Sequence, residues 1–209
     1  MSKTARFKWT KKSYKRRSVV DIEKFVGWPF LQHLIDKCSG IMKSRDAALI
    51  AALFETGGRV SEVLQLQNEM FLNKPNFYVV RAMPVLKRYE KLSTCKDQDG
   101  KTKFETRTSK AYRTFPIRKN DPLLPTLIDW VEQHPKNLFK ITRQRAYQIV
   151  SSLDPGVWPH WFRSQRASQL AFEHGFRSEE LVEFFNWKDY ETALRYAHMG
   201  WEGLAKKFQ

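Results

Sequence analysis

The hydrophobic pattern divides the chain into recognisable pieces. Residues 1–20 alternate basic and aromatic groups with no apolar period, which predicts an arm and not a packed element. Residues 21–40 read as partly helical, broken at Trp28-Pro29. Ala47 to Phe54 is apolar on every side, so the helix it predicts, capped by Ser44 and ended by Gly57-Gly58, must be buried. A second helix follows at once, with Val60, Val63, Leu64 and Leu66 on its inner face. Asn73-Lys-Pro-Asn76 is turn chemistry, and Phe77-Tyr-Val-Val80 opens a strand running towards Leu86, with Pro84 confining part of it to an edge. Asp99-Gly100 is a hairpin signal, and the return strand is expected from about Thr108 to Ile117. Helices are expected near 123–133, from a Thr142 cap to Leu153, and over about 160–174, 179–185 and 190–199. Gly175 closes the first of these last three, and Ser178 and Asp189 are the expected caps of the other two. The fold class is α+β, a mainly helical domain over 21–209 with one small antiparallel sheet or hairpin.

Charge sharpens that picture. The 209 residues hold 37 Lys and Arg against 22 Asp and Glu, a formal net charge of +15. Residues 1–17 carry eight basic groups and no acid, and residues 81–119 carry twelve basic and four acidic groups. Those two stretches account for the whole surplus. Concentrated positive charge interleaved with Phe7, Trp9, Tyr14, Tyr89 and Tyr112 points to a polyanion, above all nucleic acid. With 42% hydrophobic and 14% aromatic residues the chain is too apolar for disorder, and no run of about 18 apolar residues predicts a membrane span. The N-terminus has no secretory pattern, and two cysteines (Cys38, Cys95) form no disulfide framework, which favours an intracellular, cytoplasmic setting.

Several chemistries find no support in the residue pattern. No Gly-x-x-x-x-Gly-Lys-Ser/Thr run is present, the five histidines and two cysteines lack zinc spacing, and no tight carboxylate group suggests two-metal chemistry. Phosphodiester chemistry would therefore fall to Arg, Lys, His, Trp and Tyr. Arg59 stands directly after Gly57-Gly58 at the mouth of a helix. His160 and Arg163, spaced i and i+3 after a proline, project from one side of a first helical turn. Trp187 lies in a short break between helices, and Tyr196 follows nine residues later.

In that order these segments resemble the tyrosine recombinases, the phage integrase family. Glu55-Thr-Gly-Gly-Arg59-Val-Ser-Glu62 is similar to its first arginine box, His160-Trp-Phe-Arg163 to its His-x-x-Arg box, and Phe185-Asn-Trp187 with Ala193-Leu-Arg-Tyr196-Ala-His198 to its final segment. The wording of the last box is most like archaeal and archaeal-virus integrases. The resemblance spans roughly residues 40–200 and implies the DNA breaking-rejoining fold. It implies a metal-free, cofactor-free reaction in which Tyr196 attacks a DNA phosphate to form a 3′-phosphotyrosine. Arg59 and Arg163 would hold the non-bridging oxygens, His160 would position phosphate or move a proton, and Trp187 would donate its indole N–H. Glu62 would orient Arg59. A hairpin lysine would protonate the leaving oxygen: Lys87 is the first choice, with Lys91 and Lys110 as alternatives. Lys11, Lys12, Arg16, Arg17, Lys110 and Arg113 are expected as DNA contacts. The partner would be double-stranded DNA, held by a homotetramer on two sites, the isolated domain being monomeric.

The chain also departs from the family. Gly58 stands where relatives commonly carry an aliphatic residue, which suggests a looser Arg59 backbone. Only about 40 residues precede the region of resemblance, so the helical domain usual there in the family is expected to be missing, the chain being a fragment or relying on its basic arm. Tyr190 is the nearest rival nucleophile, and His174 and His198 are expected to be structural, with His198 also a possible DNA contact. Two other functions fit the same residues: relaxation of DNA like a type IB topoisomerase, and DNA binding without catalysis.

Overall fold

A computed structural model describes residues 25–86, 89–96, 102–108, 111–188 and 190–197. Eight α-helices, a 3₁₀ turn (Asn68–Met70) and five strands are present among them. The first is α1 (Trp28–Asp36), where Pro29 occupies the first turn and so starts the helix instead of breaking it. Then come α2 (Lys43–Thr56), the single turn α3 (Val60–Val63), β1 (Phe71–Asn73) and β2 (Phe77–Val85). β3 (Tyr89–Lys96), β4 (Thr102–Thr108) and β5 (Ala111–Arg118) follow. The last five elements are α4 (Leu124–Gln133), α5 (Arg143–Leu153), α6 (Pro159–Phe172), α7 (Ser178–Phe185) and α8 (Tyr190–Ala197). This is the α+β architecture expected.

The all-round apolar helix α2 is the centre of the domain. Every residue from Ala47 to Thr56 is buried, and α1, α4 and α6 pack around it. Thr142 caps α5 by accepting from the Arg145 N–H at 3.1 Å, as its position predicts. Two caps lie close to but not at their expected places, with Met42 preceding α2 and Arg177 preceding α7. No helix among the described residues is long and apolar enough to cross a membrane.

β2 is the middle of a three-stranded antiparallel sheet, order β1-β2-β5, and β3 and β4 form a separate antiparallel ribbon. The ribbon agrees with a hairpin about Asp99-Gly100, although those two residues lie outside the described ones. β1 covers only the first part of β2, so Pro84 indeed lies where one side of the strand is unpaired by β1. A bulge interrupts β2 between Val80 and Met83, with Ala82 at φ 54° and its N–H donating to Thr114 Oγ1 at 3.1 Å. The extra residue changes the phase of the strand. Val80, Met83 and Val85 are all buried, which strict alternation could not achieve.

That phase change drives Met83 against the Gly57-Gly58 turn. Gly57 takes the left-handed conformation at φ 53° that ends α2. Gly58 has no unusual φ but no room: a Cβ there would lie 2.5 Å from Met83 Cε, 2.8 Å from Val63 Cγ2 and 3.0 Å from Thr56 Oγ1. The glycine therefore tightens the approach to Arg59 where the sequence suggested loosening. Gly58→Ala is expected to destabilise the fold by about 1–3 kcal/mol through overpacking. Urea denaturation checks this, and an unchanged midpoint would mean Met83 can move aside freely.

Candidate active site

α2 and α7 both end at the same place, and their last carbonyls need donors. Two buried arginines supply them. Arg113, from β5, donates from Nη2 to Thr56 O at 2.7 Å and from Nη1 to Phe184 O at 2.8 Å. Arg163, from α6, donates from Nη1 to Gly57 O at 2.6 Å and from Nη2 to Phe185 O at 3.1 Å. The two guanidiniums thus tie successive carbonyls of one helix end to successive carbonyls of the other. Cations at helix C-termini are also favoured by the helix dipole.

Arg113 is a correction to the expectation from sequence, which assigned it to DNA contact. It is 4% exposed, and its side chain is spent on backbone carbonyls and on the Phe115 ring, 4.3 Å from the centroid. The reason is strand period: Phe115 and Ile117 face the core, so Arg113 on the same face does too.

Arg59 caps α3 in an extended conformation and is fixed by Glu62. The Glu62 carboxylate accepts from the Arg59 backbone N–H at 2.9 Å and from its Nη1 at 2.8 Å. It accepts as well from the Leu86 N–H at 3.2 Å and lies 4.0 Å from Arg163 Nη1. This buried carboxylate therefore joins the turn after α2, the end of β2 and α6, as well as orienting Arg59.

Asn186, in the left-handed conformation at φ 50°, turns the chain after α7. The turn stacks Trp187 on Phe185, with centroids 4.6 Å apart and planes at 16°. Tyr196 from α8 also stacks on Trp187, at 5.5 Å and 17°. The Arg163 guanidinium lies 4.8 Å from the Phe185 ring centre and 5.6 Å from that of Trp187. The Tyr196 hydroxyl donates to Ser164 Oγ at 3.3 Å.

These elements enclose a cleft of about 290 Å³ lined by Arg59, Val85, Leu86, His160, Arg163, Asn186, Trp187, Lys188, Thr192 and Tyr196. Arg59, His160, Arg163, Trp187 and Tyr196, singled out from separate stretches of sequence, come together in it. The rival Tyr190 does not line it; its hydroxyl donates to Glu179 Oε1 at 2.8 Å. Burial, followed by the charge of Arg59, lowers the Arg163 pKa from its ordinary value to about 10, against the opposing pull of Glu62 and Tyr196. Burial, followed by the charge of Arg163, lowers Arg113 to about 9. Both remain cationic at neutral pH, so Arg59, Arg113 and Arg163 gather at and behind the cleft wall around the carboxylate of Glu62. That surplus suits an anion.

Lys188, Thr192 and Ser164 belong to this region but had no signal strong enough to single them out. Ser164 was visible only as the i+4 neighbour of His160. His174 bonds Gln169 and Arg118, in keeping with a structural role. Lys91 is placed by its backbone on β3, opposite Thr106. Lys11, Lys12, Arg16, Arg17, Lys87, Lys110 and His198 lie outside the described residues. No group of three or more His, Cys, Asp and Glu side chains suited to a metal ion occurs among the described residues.

No protein-family model and no curated protein matches the chain. Solved structures do. The chain is similar to XerH site-specific recombinase in its pre-cleavage complex with difH substrate, at 16% identity and a TM-score of 0.59, covering 90% of this chain and 54% of that one. XerA recombinase aligns at 15% identity and a TM-score of 0.57 over 93% of this chain and 65% of its own. The Tn1549 transposon integrase, in complex with transposon right end DNA, aligns at 14% identity and a TM-score of 0.54 over 90% of this chain and 66% of its own. The chain thus spans about half the length of XerH and about two thirds of the other two. Its fold is the α+β fold shared by that part of these two recombinases and the transposon integrase.

Proposed function

We propose that this chain carries the catalytic part of a site-specific DNA recombinase, an integrase of a mobile element, which cuts and rejoins strands through a 3′-phosphotyrosine. The observation that carries this reading is the convergence of Arg59, His160, Arg163, Trp187 and Tyr196 on one cleft. The likeness in fold to recombinases solved with their DNA supports it further.

In this reading the Tyr196 oxygen attacks the scissile phosphorus, forming the Tyr–O–P bond as the bond to the 5′-oxygen breaks. Arg59 and Arg163 stabilise the charge on the non-bridging oxygens, and Trp187 adds an indole N–H. His160 positions phosphate or accepts the phenolic proton. Lys87 delivers a proton to the departing 5′-oxygen; its chain neighbour Leu86 lines the cleft and is anchored to Glu62, which supports Lys87 over Lys91 and Lys110. A DNA 5′-hydroxyl then attacks the phosphotyrosine, releasing Tyr196. The linkage conserves the phosphodiester's energy, so no nucleotide cofactor is required. Double-stranded DNA is the partner, a homotetramer on two sites is the assembly that exchange requires, and the setting is intracellular. The resemblance to archaeal and archaeal-virus integrases suggests the kind of element.

Covalent trapping tests the reading: a nicked duplex is incubated with the protein in low salt and resolved in SDS. A slow-migrating adduct, formed equally in EDTA, is expected. Absence of an adduct while DNA stays bound would favour the non-catalytic binding protein. Plasmid relaxation without recombinant product would favour the topoisomerase.

Binding should also be steeply salt-dependent, each neutralised phosphate contributing about −0.9 to the log–log slope on B-DNA. Removing Lys11, Lys12, Arg16 and Arg17 together is expected to flatten that slope by roughly one unit for each phosphate no longer neutralised. An unchanged slope would show that the arm does not touch phosphate.

A further inference from the structure

α6 is buried almost continuously: from Trp161 to Leu170 every residue is buried except Ser164, which is half-buried. Ser164 stands four residues after His160 and one after Arg163, so it shares the His160 face of the helix. A serine at a mid-helix position is a weaker helix former than alanine. Its Oγ accepts a hydrogen bond from the Tyr196 hydroxyl.

The Tyr196 ring is constrained in two different ways. Stacking on Trp187, with planes at 17°, fixes the plane of the ring. Stacking leaves the ring free to slide and rotate within that plane, because dispersion between parallel rings is only weakly directional. A hydrogen bond at the hydroxyl fixes a point in the plane. The plane and the point together define where the phenolic oxygen lies.

Resting on the strand-transfer reading of this cleft, we infer that Ser164 is the positioning residue of the Tyr196 nucleophile, holding its oxygen beside the two α6 residues, His160 and Arg163, that face the phosphate. At 3.3 Å the bond is long for O–H···O. The contact Ser164 makes at the cleft is with the Tyr196 hydroxyl, so in this inference it acts through Tyr196. Its effect therefore falls on the rate of the chemical step and not on DNA affinity, because misplacing a reacting atom by about 1 Å costs on the order of 100-fold.

The test is single-turnover adduct formation on the nicked duplex by the full chain, with DNA affinity measured in parallel. Ser164→Ala improves helix propensity, so its folding is not in question. It is expected to slow adduct formation by about 10- to 100-fold with affinity unchanged. Ser164→Thr keeps the hydroxyl and should recover most of the rate, whereas Ser164→Val, matched to Thr in shape, should not. A Ser164→Ala protein that reacts at the wild-type rate, or Thr and Val variants that behave alike, would overturn the inference and leave the strand-transfer reading standing. Loss of affinity in step with rate would also overturn it, as a purely structural role would then suffice. A wild type that forms no adduct would remove both.

Discussion

Tyr196→Phe is expected to abolish covalent trapping of DNA, with a loss of at least about 10⁴-fold, or about 5.4 kcal/mol of activation free energy. The substitution removes one oxygen and keeps the ring, so the stack on Trp187 survives. With the oxygen goes the long hydrogen bond to Ser164. Folding stability should fall by no more than about 1 kcal/mol, the usual net worth of one hydrogen bond. DNA affinity should be nearly unchanged, because the cleft arginines Arg59 and Arg163 are untouched. An adduct that persists would move the nucleophile elsewhere, with Tyr190 the first candidate despite its bond to Glu179. Affinity and trapping lost together would make Tyr196 a structural residue. The comparison is informative because the wild type and variant differ in chemistry far more than in packing.

How far the sequence foretold this arrangement depended on what set each position. Elements fixed by local patterning were legible: the buried helix α2 from its apolar run, the α5 cap from Thr142, and the end of α2 from Gly57-Gly58. Features fixed by tertiary packing were not. The β2 bulge has no turn residue to mark it, only Ala82 at a positive φ, yet it sets the inward phase of Met83 and Val85. Gly58 suggested a loose turn, and its need for glycine emerges only once Met83 is placed against it.

The arginines divide along the same line. Arg59 and Arg163 were found by their spacing to glycine, proline and histidine, and both meet in the cleft. Arg113 was misassigned because it lies in a strongly basic stretch, where charge density outweighed strand alternation as a guide. Two-residue alternation with Phe115 and Ile117 was there to be read. The clamp that Arg113 forms with Arg163 depends on two helix ends, remote in sequence, that meet in space, and no local pattern encodes that meeting.

A second large effect is expected behind the site, where Arg166 lies between two buried carboxylates. Its Nη1 donates to Asp121 Oδ2 at 2.9 Å, while Nη2 lies 3.4 Å from Glu55 Oε2. One guanidinium cannot neutralise two carboxylates at full strength, and the shorter contact goes to Asp121. Burial, which outweighs the attraction of Arg166, raises the Glu55 pKa from its ordinary 4.5 to about 8, helped by the charge of Asp121. That upward shift predicts a Glu55 that keeps its proton in the native protein at neutral pH and loses it in the unfolded chain. The folded state binds the extra proton, so this group's contribution is complete below about pH 4.5. It is lost as pH rises towards 8, with a slope of up to about 1.4 kcal/mol per pH unit. Glu55→Gln, which cannot ionise, should flatten that slope and be more stable than the wild type above pH 8. Arg166→Met leaves Asp121 buried without its cation and should cost about 3–5 kcal/mol. Urea denaturation of the three proteins at several pH values decides the matter. Parallel pH profiles for the wild type and Glu55→Gln would mean that Glu55 is ionised in the native state and paired with Arg166. Because Glu55 lies two residues before Gly57, whose carbonyl binds Arg163, either result states what supports the turn that presents Arg59 to the cleft.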